Sequence, residues 1–351
     1  MDWVDLGILV LKCTVLIFAM LTAFAYATLF ERRVIAKMQW RHGPNRAGPG
    51  GFLQPLADGI KLIFKENITP VGVDRPVYFL APVISMAVAI LAFAVIPIGD
   101  PVTVNLAGKV RVIPLQIADF NVALLYFLGV TSLAVYGIVL AGWASNNKYS
   151  LIGGLRSSAQ MVSYELAMGL SLLGVVMVTG TLSVSEIVKY QTALPLIVLQ
   201  PLGFVIYAIT ALAETNRAPF DMPEAEQELI AGYHTEYTGM RFALFFMAEY
   251  INMVTVCALA ASLFLGGYHL PCFPGTPLAF LCDLPWYLDI LVLLAKIVFG
   301  MFLFVWLRAT LPRLRYDQLM NLGWKVLLPL ALLNLALTAV GIALFQNGLG
   351  G

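Results

Sequence analysis

Apolar residues occur along the chain in long runs, and eight of these runs are long enough to cross a lipid bilayer. A transmembrane helix needs about 20 mostly apolar residues. Runs such as Val83–Val95 do not alternate polar and apolar positions, as the strands of a membrane β-barrel do. The pattern therefore predicts an all-α polytopic membrane protein with one transmembrane domain over residues 1–351 and spans at about 6–30, 76–98, 119–143, 158–180, 193–213, 242–266, 284–307 and 325–346.

The composition supports a membrane protein and excludes other classes. Hydrophobic residues make up 60% of the chain and charged residues 12%, with a mean hydropathy of +0.86. Soluble proteins carry about 25% charged residues, so most of this surface cannot face water. A net charge of +1 gives no basic field for nucleic acid, and the apolar content excludes a disordered chain. We expect the lipid bilayer to be a partner and nucleic acid not to be one.

The basic residues predict how the chain is oriented in the membrane. Of the 21 Lys and Arg residues, 16 lie in the connections that follow spans one, three, five and seven, and eight of these lie in 31–75. The opposite connections contain only Lys109, Arg111 and Lys189. Because basic residues concentrate on the cytoplasmic side, we expect both termini on the periplasmic side. The chain length and the charged outer loops favour a bacterial inner (plasma) membrane over the mitochondrial inner membrane.

The connection 31–75 is too long for an ordinary loop and contains a helical pattern. Its apolar positions recur at helical spacing, with polar positions on the opposite face. Fourteen residues cannot span the bilayer, so we expect an amphipathic helix in the membrane interface on the cytoplasmic side. The alternative is a helix that only docks on the bundle. The apolar positions are Phe52, Leu53, Leu56, Ala57, Ile60, Ile63 and Phe64, and the polar ones are Gln54, Asp58, Lys61 and Lys65.

A basic cluster precedes this helix and includes one acid. Arg32, Arg33 and Lys37 directly follow the first span, as in an anchor that attracts anionic lipid. Such an anchor does not account for Glu31, nor for the turn-rich run His42–Gly51, which is typical of a shaped loop. The glycines of that run match neither dinucleotide-binding nor phosphate-binding patterns.

The connection 214–241 is dense in acids and is the most informative segment. Within 214–237 the only base is Arg217, and Pro, Phe and Met residues interleave with the acids. This favours a folded loop, whereas the alternative is a solvated acidic face. Carboxylates clustered in a poorly hydrated site raise one another's pKa values and can relay protons. The acids are Glu214, Asp221, Glu224, Glu226, Glu228 and Glu236.

Two acids fall inside predicted spans, where an ionisable group costs about 2.5–3.5 kcal/mol on insertion scales and indicates a functional site. Glu165 and Glu249 each lie about seven residues into a span, which is roughly 10 Å of helix. Glu214 closes span five on the same side, so three acids at similar depth predict a proton path from the cytoplasm. In the alternative, each acid neutralises an internal base such as Lys296. Lys12 is expected to snorkel toward the outer interface.

The cysteines and histidines predict no metal or cofactor site in this chain. No C-x-x-C spacing occurs, so neither zinc nor an iron–sulfur cluster is supported. Cys272 and Cys282 share one outer connection and could pair in an oxidising compartment, which the sequence leaves open. Any redox chemistry must therefore come from a partner or a diffusible carrier.

Three segments resemble the signatures of a known family. They are 31–66, ERRVIAKMQWRHGPNRAGPGGFLQPLADGIKLIFKE; 214–237, ETNRAPFDMPEAEQELIAGYHTEY; and 311–329, LPRLRYDQLMNLGWKVLLP. They resemble the H subunits of proton-pumping NADH:quinone oxidoreductase, respiratory complex I, which are its quinone-site membrane subunits. The resemblance covers the whole chain, and signatures of this length are far more specific than a short motif.

The resemblance implies a membrane subunit that catalyses nothing alone but belongs to a proton-translocating oxidoreductase. Its partners would be the other complex I subunits, namely the soluble quinone-site and iron–sulfur subunits and neighbouring small membrane subunits. Quinone, expected to be ubiquinone, would be the substrate. NAD, FMN and the iron–sulfur clusters would be held by partner subunits, and this chain alone would bind no cofactor.

The resemblance also implies roles by motif position. Quinone would enter from the lipid past the amphipathic helix, with its tail against Phe52, Leu56 and Phe220. The passage would be bordered by Arg32, Asp58, Lys61, Arg217, Phe220 and Asp221. The acids that would couple quinone chemistry to a proton channel are Glu165, Glu214, Glu224, Glu226, Glu228, Glu236 and Glu249.

Three alternatives stay open at this stage. The first is the homologous subunit of an energy-converting hydrogenase, which predicts hydrogen-linked activity and no quinone dependence. The second is a stand-alone proton-coupled transporter, which predicts inverted repeats that spans 1–4 and 5–8 do not convincingly show. The third is a passive anchoring subunit, which would need neither the buried acids nor an ordered acidic loop.

Overall fold

The computed structural model describes residues 3–106, 109–192, 194–222, 231–271 and 285–348, and it confirms an all-α polytopic membrane protein. Seven helices in these ranges are long and apolar enough to cross a bilayer. The helices, in chain order, are α1 (Trp3–Met38), α2 (Gln54–Phe64), α3 (Arg75–Phe93), α4 (Ala123–Ala144), α5 (Lys148–Thr179), α6 (Val184–Tyr190), α7 (Leu196–Leu199), α8 (Pro201–Glu214), α9 (Gly239–Phe264), α10 (Trp286–Thr310), α11 (Tyr316–Asn321) and α12 (Leu328–Gly348).

The long helices form a bundle around α9, which is the most buried of them. Helix α3 packs between α4 and α9, and α5 packs against α4, α8 and α12. A π-helical turn, Leu322–Leu327, joins α11 to α12, so that the last crossing runs from Tyr316 to Leu344. By contrast, α1 and the last crossing leave most of their side chains exposed. The core thus lies around the helix that carries Glu249.

Helix α1 continues two turns beyond the predicted end of the first span and ends at Met38. No Gly or Pro interrupts the sequence between Gly7 and Gly43, so nothing in the backbone stops the helix at residue 30. The chain then turns at Trp40, whose φ of 53° lies in the left-handed region. The acid and the bases that follow the first span therefore lie on a helix rather than in a loop.

The predicted amphipathic helix is present as α2, and no residue of it is buried in the chain. Its entry is set by Gly51, which has a φ of 81° and approaches the backbone so closely that a Cβ would lie 2.1 Å from the carbonyl oxygen of Pro44. Pro55 occupies the first turn, where its missing N–H is tolerated. Leu56 is 62% exposed and Phe64 84%, so the apolar face of α2 lacks a partner among the described residues.

The fifth predicted span, 193–213, is not one continuous helix. Its helical part breaks at Gln200, which has a φ of −128° and a ψ of 53°, into α7 and the 14-residue α8. Pro201 explains the break, because proline disfavours helical geometry in the preceding residue. The Gln200 side chain donates to Thr338 Oγ1 at 2.7 Å and accepts from Asn334 Nδ2 at 3.0 Å. These bonds tie the break to α12.

A short antiparallel hairpin, which was not predicted from the sequence, follows α3. Strand β1 (Val102–Leu106) pairs with β2 (Lys109–Ile113), and Val102 lies opposite Ile113. The alternation in VTVNL and KVRVI is the signal that could have found it. Arg111 forms an ion pair with Asp5 near the start of α1. We call this end of the bundle the hairpin end and the opposite end, which holds Glu31, the Glu31 end.

Candidate functional site

Four segments of the chain bring charged side chains together at the Glu31 end. Arg217, which follows α8, lies with Nε 2.6 Å from Oε1 of Glu249 on α9. Its Nη1 lies 3.6 Å from Oε2 of Glu31 on α1. Tyr250 donates its hydroxyl to that same Oε2 at 2.8 Å, and Arg308 on α10 pairs with Oε1 of Glu31. We call these five residues the ion cluster.

The ion cluster is almost entirely removed from water. Arg217 and Glu31 are each only 5% exposed. A buried charge is tolerated only with partners, since its desolvation costs several kcal/mol. The Arg217 guanidinium also lies over the Tyr250 ring, with Cζ 4.1 Å from the ring centroid. Burial lowers the pKa of Arg217, but Glu249, Tyr250 and Glu31 outweigh that effect and raise it, so the guanidinium stays charged.

A tight turn after α8 positions Arg217. Asn216 adopts a φ of 52°, a left-handed conformation that asparagine accepts more readily than most residues. Gln160 of α5 holds both sides of the turn, because its Nε2 donates to the carbonyl oxygens of Ala213 at 2.7 Å and Phe220 at 2.8 Å. The segment is therefore folded, as the interleaved apolar residues predict.

A cavity of about 40 Å³ connects the ion cluster to Glu214. Both Glu214 and Glu249 line it, and Oε2 of Glu214 is buried with no hydrogen-bond partner among the described residues. A polar cavity of this size can hold water. Two of the acids predicted at similar depth therefore share one small space. Its other lining residues include Ser85, Asn216, Tyr233 and Asn252.

Glu165 and Glu236 lie on either side of this arrangement. Glu165 on α5 interacts electrostatically with Glu214 and accepts a hydrogen bond from Ser132 of α4. Glu236 does not line the 40 Å³ cavity. Its Oε1 accepts from Asn147 Nδ2 at 2.8 Å, and its carbonyl oxygen accepts from the Tyr78 hydroxyl at 2.6 Å. The predicted acids thus extend from α9 through α8 to α5, with Glu236 at the α4–α5 junction.

The residues predicted for the quinone passage form two separate groups. Asp58 on α2 pairs with Arg32 of α1 at 2.8 Å and with Lys61 at 4.0 Å, and it fixes α2 beside the basic end of α1. Phe52 lies under the Arg33 guanidinium, 4.7 Å from its Cζ, and shares the exposed side of this region with Leu56.

Phe220 and Asp221 belong to the second group, in the turn that carries Arg217. Phe220 is only 4% exposed and packs against the Tyr164 ring at 5.6 Å. The carbonyl oxygen of Asp221 accepts a hydrogen bond from Arg313. The structure therefore places Phe220 in the core and not beside Phe52 and Leu56.

Some of the predicted residues lie outside the described ranges. Glu224, Glu226 and Glu228 fall in 223–230, and Cys272 and Cys282 fall in 272–284. Within the ranges that are described, no group of three or more His, Cys, Asp and Glu side chains is placed to hold a metal ion.

Sequence reasoning missed Glu31, Tyr250 and Arg308 as members of the site. The available signal was Glu31 itself, an acid that a basic membrane anchor does not explain. The partner proposed for the buried acids in the alternative interpretation, Lys296, lies elsewhere. Its Nζ donates to the carbonyl oxygens of Leu265, Gly267 and His269 at 2.6–2.7 Å, beyond the end of α9.

Comparison with known proteins identifies the family. The family model described as NADH dehydrogenase matches residues 11–339. The H subunit of NADH-quinone oxidoreductase from Protochlamydia amoebophila is 58% identical over 318 residues, covering 91% of this chain and 92% of the relative. The protein of the same name from Thermomicrobium roseum is 54% identical over 350 residues, with 97% of each chain covered. A relative from Geobacter metallireducens, the first of the NADH-quinone oxidoreductase H subunits numbered in that organism, is 52% identical over 334 residues, covering 95% of this chain and 96% of the relative. These matches confirm the resemblance carried by the three signature segments, and the chain belongs to the NADH dehydrogenase family of NADH-quinone oxidoreductase H subunits.

Proposed function

We propose that this chain is the membrane subunit of a proton-translocating NADH:quinone oxidoreductase that forms the quinone entrance and couples quinone reduction to proton movement. The observation that carries the proposal is the shared position of Glu249. It pairs with Arg217 in the ion cluster and also lines the cavity that contains Glu214. Other complex I subunits would hold NAD, FMN and the iron–sulfur clusters, and the relatives' names support that assignment.

The exposed apolar side of α2 supports a lateral entrance for quinone. An amphipathic helix of this kind lies in the interface with its apolar face in the acyl region. Leu56 and Phe52 would contact the apolar tail, while the Arg32–Asp58 ion pair holds α2 against α1. Quinone would pass from the bilayer along α2 toward the ion cluster.

The ion cluster offers a donor that fits a quinone carbonyl. Nη2 of Arg217 is buried and has no hydrogen-bond partner among the residues that the structure describes. A buried unpaired donor costs about 1–3 kcal/mol or more for a charged group, so a partner is expected from outside this set. A quinone carbonyl oxygen is an acceptor of the right kind, and so are the acids of 223–230. Either partner would place the reacting group beside Glu31 and Glu249.

The coupling step follows from the sharing of one guanidinium by two acids. Reduction of quinone to quinol takes up two electrons and two protons, so the charge near Arg217 changes where few waters screen it. A shift of Arg217 toward Glu31 would leave Glu249 without its closest partner and favour its protonation. From Glu249 a proton would cross the water-sized cavity to Glu214 and continue to Glu165. Electrostatic and conformational responses both fit this sequence of events.

The orientation belongs to the same proposal. The Glu31 end carries most of the basic residues, and so it would face the cytoplasm with both termini periplasmic, in a bacterial inner membrane. Protons would then be taken up beside the soluble subunits that deliver the electrons.

The test is Glu214→Gln in the complete complex, assayed in native membranes for NADH-driven quinone reduction and for proton pumping. NADH–ferricyanide activity, which needs only the soluble redox subunits, serves as the assembly control. Glu186→Gln is the matched variant, because Glu186 is an exposed acid at the hairpin end. We expect quinone reduction and pumping to fall in Glu214→Gln only. If both activities are unchanged in an assembled complex, the chain is a passive anchor and the proposal is wrong.

A further inference from the structure

A long cleft runs between α1 and α10, away from the acids of the ion cluster. Its volume is about 640 Å³. On α1 the lining residues recur at intervals of three and four from Lys12 to Phe30, which corresponds to roughly 27 Å of helix. On α10 they extend from Ile290 to Met301. The cleft therefore extends over most of the roughly 30 Å thickness of a bilayer core.

The walls of the cleft are apolar and open sideways. Val15, Leu294 and Val298 line it and are each about half exposed, on a surface that faces hydrocarbon in a membrane. Water would find few partners inside, and apolar cavities stay dry. The natural occupant is an apolar chain.

The width of the cleft selects among apolar occupants. A volume of 640 Å³ spread over roughly 27 Å gives a mean cross-section of about 24 Å². A helix with its side chains is about 10 Å across, or roughly 80 Å², so the cleft is too narrow for a helix of a partner subunit. A single hydrocarbon chain fits this shape.

One cation marks the hairpin end of the cleft. Lys12 is the only charged residue among those that line it in the described part of the chain. Its Nζ donates to the carbonyl oxygens of Pro114 at 2.7 Å and Gln116 at 3.2 Å. An ammonium group has three donors, so one is left for an acceptor from outside. The nearby Arg111 is engaged with Asp5.

We propose that this cleft binds an anionic phospholipid, with one acyl chain between α1 and α10 and its phosphate on Lys12. The apolar walls match the chain, and the terminal ammonium matches a negative headgroup at the depth where headgroups lie. A quinone has an uncharged head, and its site lies beyond the Phe30 end, so it does not explain a cation at Lys12. The lipid site is independent of quinone coupling.

The test uses the intact complex in phosphatidylcholine nanodiscs that contain phosphatidylglycerol with a photoactivatable group on one acyl chain. We expect labelling of α1 and α10 peptides, with about fivefold less from a phosphatidylcholine probe, the factor typical of one basic residue acting on anionic lipid. Lys12→Gln should reduce labelling by a similar factor, whereas Lys12→Arg should retain it. Lys189→Gln, which removes an exposed lysine at the hairpin end, should have no effect.

A second variant fills the cleft without changing its charge. Ala19→Phe places a ring among the lining residues and should abolish labelling of α10 by either lipid. NADH–ferricyanide activity again reports assembly. Equal labelling by the two headgroups in the unmodified complex, labelling that survives Ala19→Phe, or displacement of the probe by excess quinone would each overturn the proposal. The headgroup comparison needs no variant, so it stands even where a variant does not assemble.

Discussion

Arg217 Nε and Glu249 Oε1 lie 2.6 Å apart, and the same guanidinium reaches Glu31, so one cation holds two buried acids from different helices. Because Glu249 also lines the cavity with Glu214, the pair joins two environments that would otherwise be separate. A change in the ion cluster therefore has a direct structural route to the next acid. That route makes the pair the most sensitive point of the chain.

Removing the guanidinium should be severe. Arg217→Gln leaves Glu31 and Glu249 buried without their shared partner, and breaking a buried pair in this way costs about 3–5 kcal/mol. We expect quinone reduction to fall more than about tenfold, because each 1.36 kcal/mol corresponds to a factor of ten in rate. Arg217→Lys should be intermediate, since an ammonium keeps the charge but lacks the planar fork that reaches both acids.

The measurement is NADH-driven quinone reduction together with the thermal midpoint of the complex. Arg46→Gln provides the comparison, because Arg46 is an exposed arginine in the loop before α2. Equal rates in Arg217→Gln and Arg46→Gln would show that the ion cluster has no part in turnover.

The long helices could be predicted because each needs only local information. A run of apolar residues such as that of α4 is helical whatever its neighbours are, since the membrane requires internal hydrogen bonding. The break at Gln200 was within reach of the sequence through Pro201. Its consequence was not, because the bonds to Asn334 and Thr338 depend on how α12 packs.

The ion cluster could not be predicted in full for the same reason. Glu31 and Arg308 are separated by 277 positions, and no local pattern reports which base meets which acid. Glu165, Glu214 and Glu249 were identified because an acid in an apolar run is costly wherever it lies. Phe220 illustrates the opposite error of local reasoning, since a loop phenylalanine proves to be a core residue.

The apolar side of α2 should matter for quinones with long tails. Leu56→Ser removes an exposed apolar side chain, so it should leave stability unchanged while weakening contact with a tail. Full burial of a leucine contributes about 1.5–3 kcal/mol, so the KM for a long-tailed quinone should rise by up to roughly a hundredfold. A quinone without an isoprenoid tail should show no change in KM.

Both KM values are measured on the same membranes, with Lys65→Gln on the polar face of α2 as the matched variant. Equal effects on the two quinones would mean that Leu56 does not contact the tail. Loss of the assembled complex, read from NADH–ferricyanide activity, would instead assign Leu56 to a subunit interface.

Lys296 should be required for stability and not for turnover. Its three donors all go to carbonyl oxygens beyond α9 at the hairpin end, far from the ion cluster. Lys296→Met keeps the apolar stem but leaves three acceptors unpaired, each at a cost of about 1–3 kcal/mol. We expect the thermal midpoint to fall by roughly 10 °C, given about 2–4 °C per kcal/mol for a large domain.

Quinone reduction per assembled complex should be unchanged in Lys296→Met. Lys325→Met removes an exposed lysine near the Glu31 end and serves for comparison. A normal midpoint with lost turnover would place Lys296 in the coupling machinery, contrary to this expectation.

Stability should fall on mild acidification because of His269, which lies after α9 and outside the spans. Burial lowers the pKa of His269 below its usual value, and the ammonium groups of Lys296 and Lys189 act in the same direction against Asp100. The unfolded chain, in which a histidine has a pKa of about 6.5, therefore binds a proton more readily than the folded chain. By linkage, stability is complete above about pH 6.5 and declines as the pH falls through that value. The check is the thermal midpoint of the purified complex at about pH 8 and pH 5.5. His269→Gln should reduce the difference between the two, whereas His42→Gln, which removes an exposed ring, should leave it intact. An identical pH dependence in all three proteins would assign the acid sensitivity to other groups and show that His269 titrates alike in the folded and unfolded chains.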